Sequence, residues 1–154
     1  MFSFLKNRRA ELDASNEIGR RLHSQIFAAM QEDEASTSER LQTPFATGFI
    51  YMFVRTSYLE FGIDGEPATD RRLKHILEGV IPGRLHNIFQ RQLAAVQLAK
   101  SLERHDVVAE FEAGLQCGIY DGMHSDLNNG HGPQNLYKHL TRKKVVYRDL
   151  KDSP

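Results

Sequence analysis

Residues 44–61, with the sequence PFATGFIYMFVRTSYLEF, decide the fold of this chain. Placed on a helical wheel at about 100° per residue, their apolar side chains cover well over half of the circumference. A helix that is apolar on so much of its surface packs against several others. Pro44 suits the first turn of a helix, and Gly62 opens a segment rich in turn residues. We therefore predict a largely buried central helix over about 44–61.

On both sides of this stretch, apolar residues recur every three to four positions, which is typical of amphipathic helices. The capping-box spacing of Ser36 and Glu39 predicts that one helix starts at Thr37. The apolar residues from Leu85 to Leu102 recur with the most regular helical spacing in the chain, which predicts another helix there. Asp106 is a good N-cap for the helix that follows. Further helices are expected over about 9–33 and 68–78 and after Pro133.

Strand patterns are lacking, so we predict an all-α, single-domain bundle of five to six helices over residues 1–154. A basic C-terminal tail from about residue 145 either extends the last helix or stays flexible. A chain of 154 residues is a normal length for one domain. Its 40% apolar and 26% charged residues are ordinary for a globular protein.

Charge and cysteine content limit the choice of partners and compartment. The 20 Lys and Arg residues balance the 20 Asp and Glu residues, so no net positive field attracts nucleic acid, which we do not expect as a partner. Cys117 is the only cysteine, which excludes an intramolecular disulfide and fits a reducing compartment.

Targeting and membrane signals are also missing from the sequence. The N-terminus has its apolar residues before its charges, the reverse of a signal peptide. The apolar run Phe45 to Val54 is too short to cross a bilayer, which takes about 20 residues. We expect a cytoplasmic protein without a membrane span.

Three glycines, Gly114, Gly118 and Gly122, are spaced by four residues along one helix. Each glycine inside a helix costs about 1 kcal/mol relative to alanine, so this pattern indicates a compensating close contact. The contact can be with another helix of the same chain, with a second copy, or with a flat ligand. These residues are our candidates for close helix packing or an interface.

On the opposite face of the same helix, Cys117, Asp121 and His124 follow each other at i, i+4 and i+7. A thiolate, a carboxylate and an imidazole can bind zinc or activate a cysteine, which makes these residues weak metal or catalytic candidates. No known zinc or cysteine-enzyme signature matches them, and this face is expected to be solvated.

The central helix carries a narrow polar stripe with Tyr51, Arg55 and Tyr58. Arg55 lies one turn from each tyrosine, which favours cation–π stacking. An arginine on so apolar a helix needs an internal carboxylate, access to water, or an anionic ligand. Arg55, Tyr51 and Tyr58 are therefore the candidate ligand-binding residues.

No motif indicates a cofactor or a catalytic mechanism, so the first hypothesis is a non-enzymatic interaction, assembly or regulatory protein that forms a homo-oligomer or binds another protein. The second is a sensor or carrier of an anionic or flat apolar molecule, with Arg55 as its anchor. The third is a metal protein or enzyme that uses Cys117, Asp121 and His124.

Overall fold

The structure is a computed structural model that describes residues 2–63, 69–80, 85–124 and 132–146. In these ranges the chain forms helices and no strands, and the predicted all-α bundle is confirmed. The helices are α1 (Phe2–Glu32), α2 (Glu34–Leu41), α3 (Pro44–Glu60), α4 (Thr69–Val80), α5 (Leu85–Ser101), α6 (His105–His124) and α7 (Asn135–Leu140).

Helix α3 is the centre of the bundle, as its apolar surface predicts. It contacts each of the other six helices, and by far its most extensive contact is with α6. Phe49, Phe53 and Val54 are at most 1% exposed. The Thr43 side chain caps the helix by accepting a hydrogen bond from the Ala46 amide at 3.3 Å, and the chain leaves the helix before Gly62, whose φ of 74° suits glycine.

Two helices start earlier than the sequence predicts. α1 begins at Phe2 rather than near residue 9, and α2 begins at Glu34 because Asp33, not Ser36, is the N-cap. The Asp33 carboxylate accepts a hydrogen bond from the Ser36 amide at 3.0 Å, and aspartate caps a helix as well as serine does. Pro44 starts a new helix rather than kinking α2.

The C-terminal tail is described only as far as Val146, so the prediction for residues 147–154 lies outside the described residues. Within the described part, Lys143 lies against the bundle. Its ammonium group donates to the Tyr137 hydroxyl at 2.9 Å and is 3.5 Å from the Glu32 carboxylate at the end of α1. None of the described helices combines the length and the apolar character needed to cross a membrane.

Candidate functional site

The three glycines of α6 face α3 of the same chain. A Cβ atom added to Gly114 or Gly118 would come closer than 3.0 Å to backbone atoms of α3, at Phe45 and Phe49 respectively. At Gly122 it would come within 2.8 Å of the Thr56 Cβ. The glycines therefore let two helix backbones meet directly, inside one molecule.

A fourth glycine, Gly48, contributes to this contact from α3 and was missed in the sequence. A Cβ atom at Gly48 would meet the backbone of α6 at Phe111 and Leu115. The signal was present, since a glycine in the middle of the most apolar helix of the chain needs a reason. Because all four glycines serve packing within the chain, the glycine spacing no longer supports contact with a second copy.

Of the candidate ligand residues of α3, Tyr58 is buried against another helix. Tyr58 is 1% exposed, and the guanidinium that lies over its ring, 5.2 Å from the centroid, belongs to Arg72 of α4. Tyr51 and Arg55 are partly buried. Arg55 is engaged by other groups of the protein, so it is not a lone cation that awaits an anion.

Cys117, Asp121 and His124 were expected on a solvated face, and for the first two this is wrong. Cys117 and Asp121 are both 0% exposed. Burial, together with the nearby Asp121 carboxylate, raises the pKa of the Cys117 thiol to about 12. His124 donates from Nδ1 to the Tyr120 carbonyl at 2.7 Å. Among the described residues, no three His, Cys, Asp or Glu side chains are grouped so that they could hold a metal ion.

Asp121 belongs instead to a buried polar contact that joins α6, α7 and the tail. One carboxylate oxygen accepts a hydrogen bond from the backbone nitrogen of Asn135 at 2.9 Å, and the other accepts one from the side-chain Nδ2 of Asn135 at 2.7 Å. The Asn135 side chain in turn bonds both backbone groups of Val146, donating at 2.6 Å and accepting at 3.0 Å. Burial raises the pKa of Asp121 to about 6, and the bonds from Asn135 oppose this rise. We call this contact the Asp121 clasp.

The two most exposed large apolar side chains among the described residues belong to one face of α5. Leu98 is 60% exposed and Leu102, just beyond the helix end, is 64% exposed. Ala94, Ala95 and Arg91 are exposed on the same side of the helix, since these positions are spaced by three, four and seven residues. We call these five residues the outer face of α5. Leu102 closes the apolar stripe predicted for this helix but is exposed, whereas Phe89 and Val96 of the same stripe are buried.

Charged groups of both signs flank the outer face of α5. Arg91 lies at its amino-terminal end, and Glu103, Arg104 and Asp106 lie at its carboxyl-terminal end, all exposed. Arg104 and Asp106 form an ion pair, with 3.5 Å between Nε of the arginine and Oδ1 of the aspartate. A groove of about 300 Å³ runs beside the face and is lined mostly by apolar groups of α5, with Pro44 and Val107. The face thus has an apolar middle and ends of different charge.

Compared with known proteins, the chain matches no family model, no curated protein and no solved structure.

Proposed function

We propose that this is a non-enzymatic helical protein that works through protein–protein contacts, beginning with a second copy of itself. The observation that carries the proposal is the outer face of α5. Its two leucines are more exposed than any other large apolar side chain among the described residues. Exposed apolar surface framed by polar groups is typical of an interface.

The sequence of the outer face fits an antiparallel pairing of two α5 helices about a two-fold axis. An axis that passes through Leu98 brings the two copies of Leu98 together. It also places Leu102 of each copy opposite Ala94 of the other, since both lie four residues from the axis. Helices pack closely when a large side chain of one lies against a small side chain of the other. Because of the two-fold symmetry, this contact occurs twice in the pair.

The charges agree with the same pairing. Arg91 lies seven residues before Leu98, about 10 Å along the helix, and so faces the carboxyl-terminal end of the other copy. That end carries the exposed Glu103 and the ion pair of Arg104 with Asp106, so Glu103 is the carboxylate left to face Arg91. Opposite charges therefore meet at both ends of the pair, which favours the antiparallel register over a parallel one.

The surroundings of Cys117 and Asp121 do not support a catalytic role for Cys117, Asp121 and His124. With its pKa raised to about 12, the Cys117 thiol stays protonated at neutral pH, and the thiolate is the nucleophilic form. The buried Asp121 is already bonded to Asn135. We therefore place the function of the protein at its surface.

We expect Leu98→Glu to turn a dimer into a folded monomer, because it sets two carboxylates against each other at the axis of the pair. Sedimentation velocity over a range of concentrations measures the change, and circular dichroism checks the fold. Gln97→Glu is the matched control, since it adds the same charge at an exposed position of α5 outside the outer face. Wild-type protein that stays monomeric at high concentration would refute the proposal.

The register of the pair has its own test. Arg91→Glu should weaken association by bringing like charges together, and Arg91→Glu combined with Glu103→Arg should restore it. Each exposed charge pair contributes only about 0.2–1 kcal/mol, but a two-fold contact contains two pairs. An unchanged dimer in Arg91→Glu, or a double variant weaker than the single one, would exclude this register.

A further inference from the structure

A cleft of about 730 Å³ lies between α1 and α4, away from the outer face of α5. The two helices pack together along a seam where Gly19 of α1 lies beside the buried Ile76 of α4. Beyond this seam, toward the start of α1, the helices leave an open space between polar side chains. Its walls include Arg8, Glu11, Ser15, Arg71, Arg72 and His75.

The floor of the cleft is fixed by hydrogen bonds. Arg72 Nε donates to Glu11 Oε1 at 2.7 Å, and only 12% of the Arg72 side chain is exposed. The Arg72 guanidinium lies over the ring of Tyr58, whose hydroxyl shares a hydrogen bond of 2.5 Å with the Ser15 hydroxyl. Arg72 is thus held by a carboxylate on one side and an aromatic ring below, which restricts its geometry before any ligand arrives.

The cleft holds more positive than negative charge. Three arginines, Arg72, Arg71 and Arg8, act on the Glu11 carboxyl and lower its pKa, the hydrogen bond from Arg72 being the largest cause. Glu11 neutralises one of these three cations. In the described part of the chain, neither Arg8 nor Arg71 has an ion-pair or hydrogen-bond partner for its exposed guanidinium. Among the described residues that line it, the cleft therefore carries two more guanidinium groups than carboxylates.

We propose that this cleft between α1 and α4 binds a phosphate monoester, with Arg8 and Arg71 as the groups that contact it and Arg72 as a positioning residue. The fork of a guanidinium group matches the oxygens of a phosphate, and a phosphate monoester carries close to two negative charges at neutral pH. It therefore balances the two surplus cations of the cleft. Leu12, 51% exposed on the wall, offers an apolar surface to the rest of the ligand.

Isothermal titration with methyl phosphate, at constant ionic strength, tests the site in the full chain. Binding should occur, and Arg71→Gln or Arg8→Gln should each weaken it about tenfold or more, the usual effect of losing a charge-assisted hydrogen bond. Arg9→Gln is the matched control, because Arg9 is exposed on the same helix but does not line the cleft. The Arg9→Gln variant should bind methyl phosphate with the affinity of the wild type.

A second arm distinguishes a free phosphate monoester from a lipid headgroup. Vesicles that contain phosphatidic acid present the same group, and vesicles of equal charge made with phosphatidylserine do not. Binding to methyl phosphate identifies a free ligand, and binding to phosphatidic acid vesicles alone identifies a headgroup. The proposal is overturned if neither binds, if phosphatidylserine binds equally well, or if Arg9→Gln lowers affinity as much as Arg71→Gln. Since the cleft and the outer face of α5 are separate, its failure leaves the assembly proposal intact.

Discussion

Gly118→Ala is expected to lower the free energy of unfolding by about 3 kcal/mol or more, although alanine is the better helix former by about 1 kcal/mol. The added Cβ would lie closer than 3.0 Å to the Phe49 carbonyl oxygen and the Phe53 amide nitrogen. Both are backbone atoms inside α3, so no side chain can rotate away. α3 and α6 must separate along their whole contact, which opens the core. Denaturant unfolding followed by circular dichroism measures the loss.

Gly19→Ala is the matched control for this change. Gly19 lies inside α1, and the nearest atom to an added Cβ is Ile76 Cγ2 at 3.9 Å, an ordinary van der Waals distance. The substitution should therefore stabilise the protein by about 0.5–1 kcal/mol. The two variants differ in sign because one glycine is required by a neighbouring backbone and the other is not. If Gly118→Ala proved neutral or stabilising, the direct backbone contact of α3 and α6 would be wrong.

The stability of the protein should change little between pH 6.5 and about pH 4.5, because two buried groups oppose each other. Burial raises the pKa of Asp121 from 3.8 to about 6. The folded chain therefore keeps a proton that the unfolded chain has lost, and the Asp121 carboxyl stabilises the fold as the pH falls through this window. With about two units between the two states, its full contribution is up to about 3 kcal/mol.

His139 acts in the opposite direction. Its ring is 4.3 Å from the Phe45 ring, and burial lowers its pKa from 6.5 to about 4. The unfolded chain takes up a proton on this histidine as the pH falls below 6.5, and the folded chain does not, so stability is lost over the same window. Other groups act at lower pH, such as Glu17, whose pKa is lowered to about 2 by its hydrogen bonds to Arg20 and Arg21.

Single variants should separate the two contributions. His139→Phe keeps the ring stacked on Phe45 and removes the imidazole, so this variant should be more stable at about pH 4.5 than at pH 6.5. Asp121→Asn should show the reverse slope. Denaturant midpoints at the two pH values measure both slopes. Equal and flat profiles in both variants would show that neither group titrates from a buried position.

The sequence alone predicts the part of the fold that depends on α3. A helix that is apolar over most of its surface must lie at the centre of a bundle, and Gly62 marks the end of α3. The outer face of α5 shows where this reasoning stops. Periodicity finds the buried stripe of α5, including Phe89 and Val96, but it also includes Leu102, which lies beyond the helix end and is exposed.

The polar sites were harder to predict because their members are distant in the sequence. Asp121 lies seven residues after Gly114, about 20° from it on the wheel of α6, so correct wheel geometry places it on the buried side. The wheel does not reveal that its partner there is Asn135 of α7. The cleft likewise joins Arg8 to Arg71 and Arg72, from helices separated by α2 and α3. In both cases the contact depends on how helices are arranged in space, which local spacing does not encode.

The contact between α3 and α6 also bears on how the protein is made. During synthesis α3 leaves the ribosome while α4, α5 and α6 are still to come, and its partner helix is completed only after all of them. Until then the most apolar helix of the chain lacks the surface that covers it, which is the state in which nascent chains aggregate or recruit chaperones. A nascent chain stalled after α5 should therefore be protease-sensitive across α3, and one stalled after α6 has emerged should be protected.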